Sequence, residues 1–261
     1  MQDQSIRPFL SIKDLTLQYK TTEHLVTATH LINFDAYEAD RLILLGPSGC
    51  GKSTILKAIG GFIKPVHGCI SLNGREIKKP GADRGFVFQE FDQLLPWKTA
   101  LENIMFAIML TRKISKEQAK TEAQELLAKV NLSKFENSYP HLLSGGMKQR
   151  VAIARCLGLR SKLVLMDEPF ASLDALTRQK MQEELLSLWE ESKFTMVFVT
   201  HSIDEAIMLG SRIVLLSAHP GQVVAELNVS LPPEERRNSP EAAAIRSRIS
   251  RILFKDDMLS H

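Results

Sequence analysis

The sequence predicts an α/β protein: buried parallel strands with crossover helices form a core, an antiparallel β lobe precedes it, and a helical segment is inserted into it. Three observations carry this expectation. Residues 10 to 38 alternate apolar and polar positions, and three short continuous apolar runs follow, Leu42 to Leu45, Leu163 to Met166 and Met196 to Val199. Runs of that length read as strands covered on both faces. Between the first and second of them lies a long stretch of helical periodicity. The chain of 261 residues has room for one large domain or two closely joined lobes. The expected division is a core with its β subdomain at about 1–93 and 160–230, a helical subdomain at about 94–159, and an extension at about 231–261.

Each element has its own signal. In the first lobe, Leu10, Ile12, Leu15 and Leu17, then Leu31, Ile32 and Phe34, supply the apolar positions of half-buried antiparallel strands. Leu42 to Leu45 runs into glycine, and Ser53 to Ile63 then has helical spacing at Ile55, Leu56 and Ile59, which gives strand, loop and helix. Two glycines, Gly60 and Gly61, weaken that helix by roughly 1 kcal/mol each relative to alanine, so it is expected to stop there. From Leu94 to about Leu159 the pattern is helical. Within it, Ser115 and Gln118 have capping-box spacing, and Ala119, Ala123, Leu126, Leu127 and Val130 share a face. Leu176, Met181, Leu185, Leu188 and Trp189 mark the helix between the last two apolar runs. Beyond a Pro- and charge-rich connector, Ser239 and Pro240 fit the N-cap and first helical position. Ile245, Ile249, Ile252 and Leu253 then form one face.

Composition excludes several classes. Lys and Arg number 33 against 30 Asp and Glu, too small an excess to imply a nucleic-acid partner without a clustered basic face. Cys50, Cys69 and Cys156 form no CxxC pair, which fits free thiols in a reducing compartment and no zinc site. Met1 to Pro8 lacks the apolar centre of a secretion signal. No window approaches the roughly 18 to 20 apolar residues a spanning helix needs, so a membrane role would come through a partner.

Chemistry enters with Gly46-Pro47-Ser48-Gly49-Cys50-Gly51-Lys52-Ser53, a GxxxxGK[ST] P-loop placed after an apolar strand and opening a helix. Its backbone N–H groups turn toward phosphate oxygens and the helix dipole favours their charge. Lys52 is expected to reach the β- and γ-phosphates of a nucleotide, and the Ser53 hydroxyl to ligate Mg²⁺. Cys50 lies inside the loop. A bulky thiol adduct there is expected to block nucleotide, and ATP to protect the thiol.

A P-loop site also needs a metal contact and a group that orients water. Asp167 and Glu168 end the Leu163 to Met166 run, Asp167 fit to hold Mg²⁺ through its water shell and Glu168 to polarise the water as general base. Two adjacent acids at a strand end would also cap a following helix. Leu143-Ser144-Gly145-Gly146-Met147-Lys148-Gln149-Arg150 is a second glycine turn at a helix start, with Met147, Val151, Ala154 and Leu157 as its expected buried face. Alone, Ser-Gly-Gly is equally an ordinary flexible N-cap. With one phosphate loop already in the chain, a second phosphate-binding helix end about a hundred residues on suggests a nucleotide held between two chains.

Together these residues resemble the nucleotide-binding subunit of an ABC transporter over essentially the whole chain. The resemblance implies that Leu143 to Arg150 is the signature motif, covering the γ-phosphate held by the facing protomer's P-loop. It implies a Q-loop glutamine at Gln89 near Mg²⁺ and water, a switch histidine at His201, a D-loop at Ser172-Leu173-Asp174 and an adenine-stacking aromatic at Tyr19. The implied catalytic residues are Glu168, His201 and Gln89, and the metal ligands Ser53, Gln89 and Asp167. The nucleotide-contacting set is Tyr19, Gly46, Pro47, Ser48, Gly49, Cys50, Gly51, Lys52, Ser53, Thr54, Gln89, Ser144, Gly145, Gly146 and Asp174. Read without the resemblance, Asp174 is a good helix N-cap and Tyr19 an ordinary strand aromatic.

Finer features resemble the ATPases of nitrate, sulfonate, taurine and bicarbonate importers: Gly81-Ala82-Asp83-Arg84, Leu94-Leu95-Pro96-Trp97 and Ser217 to Gly221. By that resemblance, Phe91, Leu94, Leu95 and Trp97 would receive a helix of an integral membrane permease, with core packing as the alternative for Trp97. Asp40-Arg41, Gly60-Gly61 and Cys156 depart from the usual pattern. The implied assembly is an ATP- and Mg²⁺-dependent homodimer, or a pair with a similar subunit, on the cytoplasmic side of the membrane. Permease subunits and an external solute-binding protein complete it, with no nucleic acid. The rival is an ATP-gated clamp in DNA-repair, chromosome or translation machinery. Such proteins add coiled coils, zinc modules or tandem cassettes, and none is visible here. The basic residues Arg246, Arg248, Arg251 and Lys255 read as a solvated face or as a surface near anionic lipid.

Overall fold

A computed structural model describes residues 7–20 and 24–253, apart from the side chain of Phe91; Lys255 lies outside the described residues. The strands are β1 (Leu10–Lys20), β2 (Leu25–Ala36), β3 (Arg41–Leu45), β4 (His67–Leu72), β5 (Arg75–Glu76), β6 (Arg84–Val87), β7 (Leu163–Asp167), β8 (Thr195–Thr200), β9 (Arg212–Leu216) and β10 (Val223–Asn228). The helices are α1 (Lys52–Gly60), α2 (Ala100–Thr111), α3 (Lys116–Lys129), α4 (Gly145–Gly158), α5 (Ala175–Ser192), α6 (Ile203–Leu209) and α7 (Pro240–Leu253). The chain divides into two compact units, one formed by residues up to Pro80 and from Thr195 onward, the other by Gly81–Phe194.

In the first unit an antiparallel sheet has the order β2-β1-β4-β5. Leu10, Ile12, Leu15 and Leu17 are all buried, although Ile12 and Leu15 differ in parity. A bulge reconciles them: between Ile12↔Phe34 and Leu15↔Ile32, β1 spends three residues against two of β2, and Asp14 takes φ 49. A second shift follows between Leu15↔Ile32 and Leu17↔Thr29, where Leu31 takes φ 48. Leu31 is consequently 46% exposed, outside the apolar face expected for it.

β3 lies between parallel neighbours β8 and β9, and β10 closes this side antiparallel to β9. Every residue of β3 and β8 is buried, which explains their unbroken apolar runs. Asp40 accepts bonds from Tyr37 N (2.9 Å) and Arg212 Nη1 (3.0 Å), so the acid before β3 ties it to β9. α1 ends at Gly60. Gly61 follows at φ 83 and donates to the carbonyls of the last turn, as two glycines at a helix end predict. Ser239 caps α7 by accepting from Ala242 N at 3.0 Å, and Ala242 and Ile249 are the buried positions of that helix.

In the second unit β6 and β7 pair in parallel, and α2, α3 and α4 pack on one another. Both α2 and α3 start with complete capping boxes, Thr99 with Glu102 and Ser115 with Gln118. Two expected faces are corrected. Leu176, in the first turn of α5, is 81% exposed, so that helix buries Met181, Leu185 and Leu188 without it. In α4, Met147 and Leu157 are only half-buried, whereas Gln149, Val151, Ala152, Ile153, Ala154 and Cys156 are buried. Packing encloses α4 on several sides, and a one-face pattern cannot describe an enclosed helix.

Candidate functional site

In the first unit the P-loop leaves β3 after Leu45, and His201 follows Thr200 at the end of β8. Leu45 and Thr200 are register partners in parallel strands, so the loop and the exposed His201 emerge at the same carboxyl edge, the usual place for ligands in such sheets. Ser202, next to His201, caps α6 by accepting from Glu205 N at 3.3 Å.

The P-loop is braced from within and from behind. Lys52 is 5% exposed, and its Nζ donates to Gly46 O and Pro47 O, each at 2.8 Å. These bonds hold the ammonium inside the loop. Gly51, at φ 91, precedes α1, and a Cβ there would meet Ala28 O of β2 at 2.8 Å. Ser53 and Thr54 are half-buried in the first turn. Tyr19 is 49% exposed, opposite Val26 on the β ribbon whose Ala28–Thr29 segment backs Gly51.

Cys50 corrects an expectation. Its side chain is fully buried, and burial raises the thiol above its ordinary pKa, only partly offset by Lys52. A buried, protonated thiol is a poor nucleophile. Cys50 is therefore not the accessible probe of nucleotide that its place in the motif suggested.

The second unit carries the remaining residues. Val87 and Met166 are register partners in parallel β6 and β7, so Gln89, exposed just after β6, and Asp167 and Glu168 at the end of β7 share one carboxyl edge. Asp167 is 4% exposed. Glu168 is half-buried at φ 42, a backbone conformation rare for a bulky side chain and concentrated at functional turns. Arg178 holds the turn that follows, donating to Phe170 O (3.3 Å) and Leu173 O (2.8 Å). Asp174 caps α5 by accepting from Leu176 N and Thr177 N, and these bonds hold its carboxyl below its ordinary pKa. Ser144 caps α4, accepting from Met147 N at 3.3 Å, and Gly145 and Gly146 form its first turn.

The Leu94 to Trp97 segment splits. Leu94 is 4% exposed and belongs to the core, whereas Trp97 is 70% exposed. Nearby, Phe106, Met109 and Leu110 of α2, with Lys98, Glu102 and Lys116, line an open groove of about 430 Å³.

Residues 29–171 match the family model for the ABC transporter. The chain belongs to the ABC transporter family. An uncharacterized ABC transporter ATP-binding protein of Methanocaldococcus jannaschii is 45% identical over 250 residues, 96% of this chain and 92% of that one. The taurine import ATP-binding protein TauB of Rhizobium johnstonii is 41% identical over 250 residues, 93% of this chain and 94% of that one. Among solved structures, a dimeric ATP-binding cassette in a post-hydrolysis state with ADP and Pi is similar at a TM-score of 0.75. It is 35% identical, covering 85% of this chain and 100% of that one.

In this ABC chain, motif reading missed three supports. Gly221 donates to Ala28 O (3.0 Å) and accepts from His30 N (2.9 Å), which seats it behind the P-loop. The sequence showed it only as part of a subgroup pattern. Gln93, and Gln149 whose place in the signature run gave no sign of this contact, bond to the backbone beside Gln89. Arg236, 4% exposed, donates to Ile207 O, Met208 O and Gly210 O and anchors the start of the C-terminal extension. Long-range backbone acceptors leave no periodic trace in a sequence.

Proposed function

We propose that this ABC chain is the ATP-hydrolysing subunit of an importer for a small solute, and that two copies bind ATP between them. The observation that carries the reading is the pairing of a braced P-loop at α1 with a second glycine-rich helix start at α4, held in separate units of one chain. Similarity to an import ATP-binding protein and to a dimeric cassette with ADP and Pi supports it. Taurine, the solute in that relative's name, directs the cargo reading to a small sulfonate.

In this reading Lys52 and the P-loop amides hold the β- and γ-phosphates, Tyr19 stacks on adenine, and Ser144, Gly145 and Gly146 of the facing chain cover the γ-phosphate. Glu168 takes the proton from the attacking water, while Gln89 and His201 orient water and γ-phosphate, and Asp174 lies at the chain–chain boundary. The oxygen donors Ser53 and Asp167, with Gln89, suit a hard divalent cation, and Mg²⁺ held there would neutralise phosphate charge. Closure follows from contacts that the γ-phosphate makes with both chains, and its loss reopens the pair.

Among the described residues no helix is long and apolar enough to cross a membrane. In the proposed reading the subunit works from the cytoplasmic face through permease subunits, with a solute-binding protein delivering cargo on the other side. Exposed Trp97 and the groove over Phe106, Met109 and Leu110 offer the permease an apolar seat.

Mixing tests the composite site. Lys52→Ala lacks a phosphate contact, and Gly146→Asp places a negative charge where the structure has room for a Cβ. Each variant alone is expected to be inactive. A mixed dimer contains one intact site, so mixing should restore ATP-dependent phosphate release, and no recovery from two folded variants would rule out a shared site.

A further inference from the structure

Gln93 has no place in the chemistry above, yet its polar atoms are bonded on several sides. Its Oε1 accepts from Phe88 N at 3.1 Å and its Nε2 donates back to Phe88 O at 2.9 Å, so one side-chain amide clasps both polar groups of a single backbone residue. The same Nε2 donates to Glu90 O at 3.1 Å. Gln89 lies between Phe88 and Glu90, and the clasp therefore brackets it.

The clasp is fastened to α4. Gln149, fully buried, accepts from Gln93 Nε2 and donates to Phe88 O, each at 3.3 Å. Arg155, two turns further along α4, donates to Gln93 O at 2.7 Å and to Gln93 Oε1 at 3.5 Å. At the other side, Lys148 pairs with Asp92 at 3.3 Å, an exposed contact of small worth. The helix capped by Ser144, with Gly145 and Gly146 in its first turn, thus holds Phe88 directly and Glu90 through Gln93, on either side of Gln89.

We infer that Gln93 is a positioning residue: by locking the backbone of Phe88 and Glu90 to α4, it sets Gln89 and makes it move with the helix that starts at the signature turn. The inference rests on the role proposed for Gln89. Its physical basis is that an amide network with satisfied partners, half-buried at Gln93 and fully buried at Gln149, fixes one geometry, whereas an exposed glutamine on an unheld loop samples many. It also gives α4 a direct way to transmit engagement of its first turn to Gln89.

The test uses the full-length protein and two readouts. Gln93→Leu is expected to speed hydrogen exchange at the Phe88 amide by about tenfold while α4 keeps its protection. It should also lower kcat for ATP by about five- to tenfold with KM within about twofold, since Gln93 does not touch nucleotide. Gln93→Glu keeps the acceptor for Phe88 N–H and for Arg155 but loses donation to Phe88 O, Glu90 O and Gln149 Oε1. It should act in the same direction with smaller size, and it remains readable if the leucine variant unfolds. Acting through Gln89, Gln93→Leu should cause no further loss in a Gln89→Ala background. Multiplying losses, a KM that rises as far as kcat falls, or unchanged exchange with an impaired Gln89→Ala would each overturn the positioning role. Normal turnover by Gln89→Ala would instead refute the role given to Gln89, and this inference with it.

Discussion

A Cβ on Gly221 would stand 2.1 Å from the carbonyl oxygen of Cys50. The connection between β9 and β10 and the P-loop therefore share a boundary with no spare room. Gly221 is held on its other side by Ala28 and His30, so it cannot retreat without breaking backbone bonds.

Gly221→Ala is expected to displace the loop at Cys50 and weaken nucleotide binding about tenfold, while the buried strands keep the fold. Titration with a fluorescent ATP analogue reads the affinity. An affinity equal to that of the parent chain would mean that the P-loop yields to the methyl group without losing its shape.

The three thiols should separate sharply. Cys69 is exposed, Cys50 is buried with a raised pKa, and Cys156 is buried with its thiol pushed up to about 12. Because the thiolate is the reacting form, maleimide at pH 7.5 should label Cys69 alone in the folded chain, with or without ATP. Peptide mapping by mass spectrometry checks this, and rapid ATP-protected labelling of Cys50 would contradict the burial.

What the sequence made legible follows physical periodicity. Strand β3, the P-loop and α1 were readable because a fully buried strand is an unbroken apolar run and a phosphate loop needs glycines in fixed places. The end of α1 at Gly60 and the capping box at Ser115 were readable because their chemistry is local. Leu31 and Leu176 were misplaced for the opposite reason: a bulge reverses the face of a strand, and apolar spacing in α5 cannot say where its buried stripe begins. The supports at Gly221, Gln149 and Arg236 depend on partners tens of residues away. The residues proposed for the site were read as motifs, and their division between two units came from the structure.

Arg236 should matter to stability and not to nucleotide. Arg236→Met leaves the carbonyls of Ile207, Met208 and Gly210 without their donor, at a cost of about 3 kcal/mol. Urea unfolding should show a lower midpoint at unchanged slope, with the KM for ATP unaltered. An unchanged midpoint would mean that those carbonyls find other donors.

In the proposed mechanism Glu168 takes the proton from water at an ATP site shared by two chains. Phosphate release by Glu168→Gln measures it most directly, with size-exclusion chromatography of the same sample in ATP. Turnover should fall at least about a hundredfold, with ATP binding retained and a stable ATP-dependent dimer formed. Phosphate release at the parent rate, or a variant that stays monomeric with ATP bound, would contradict it.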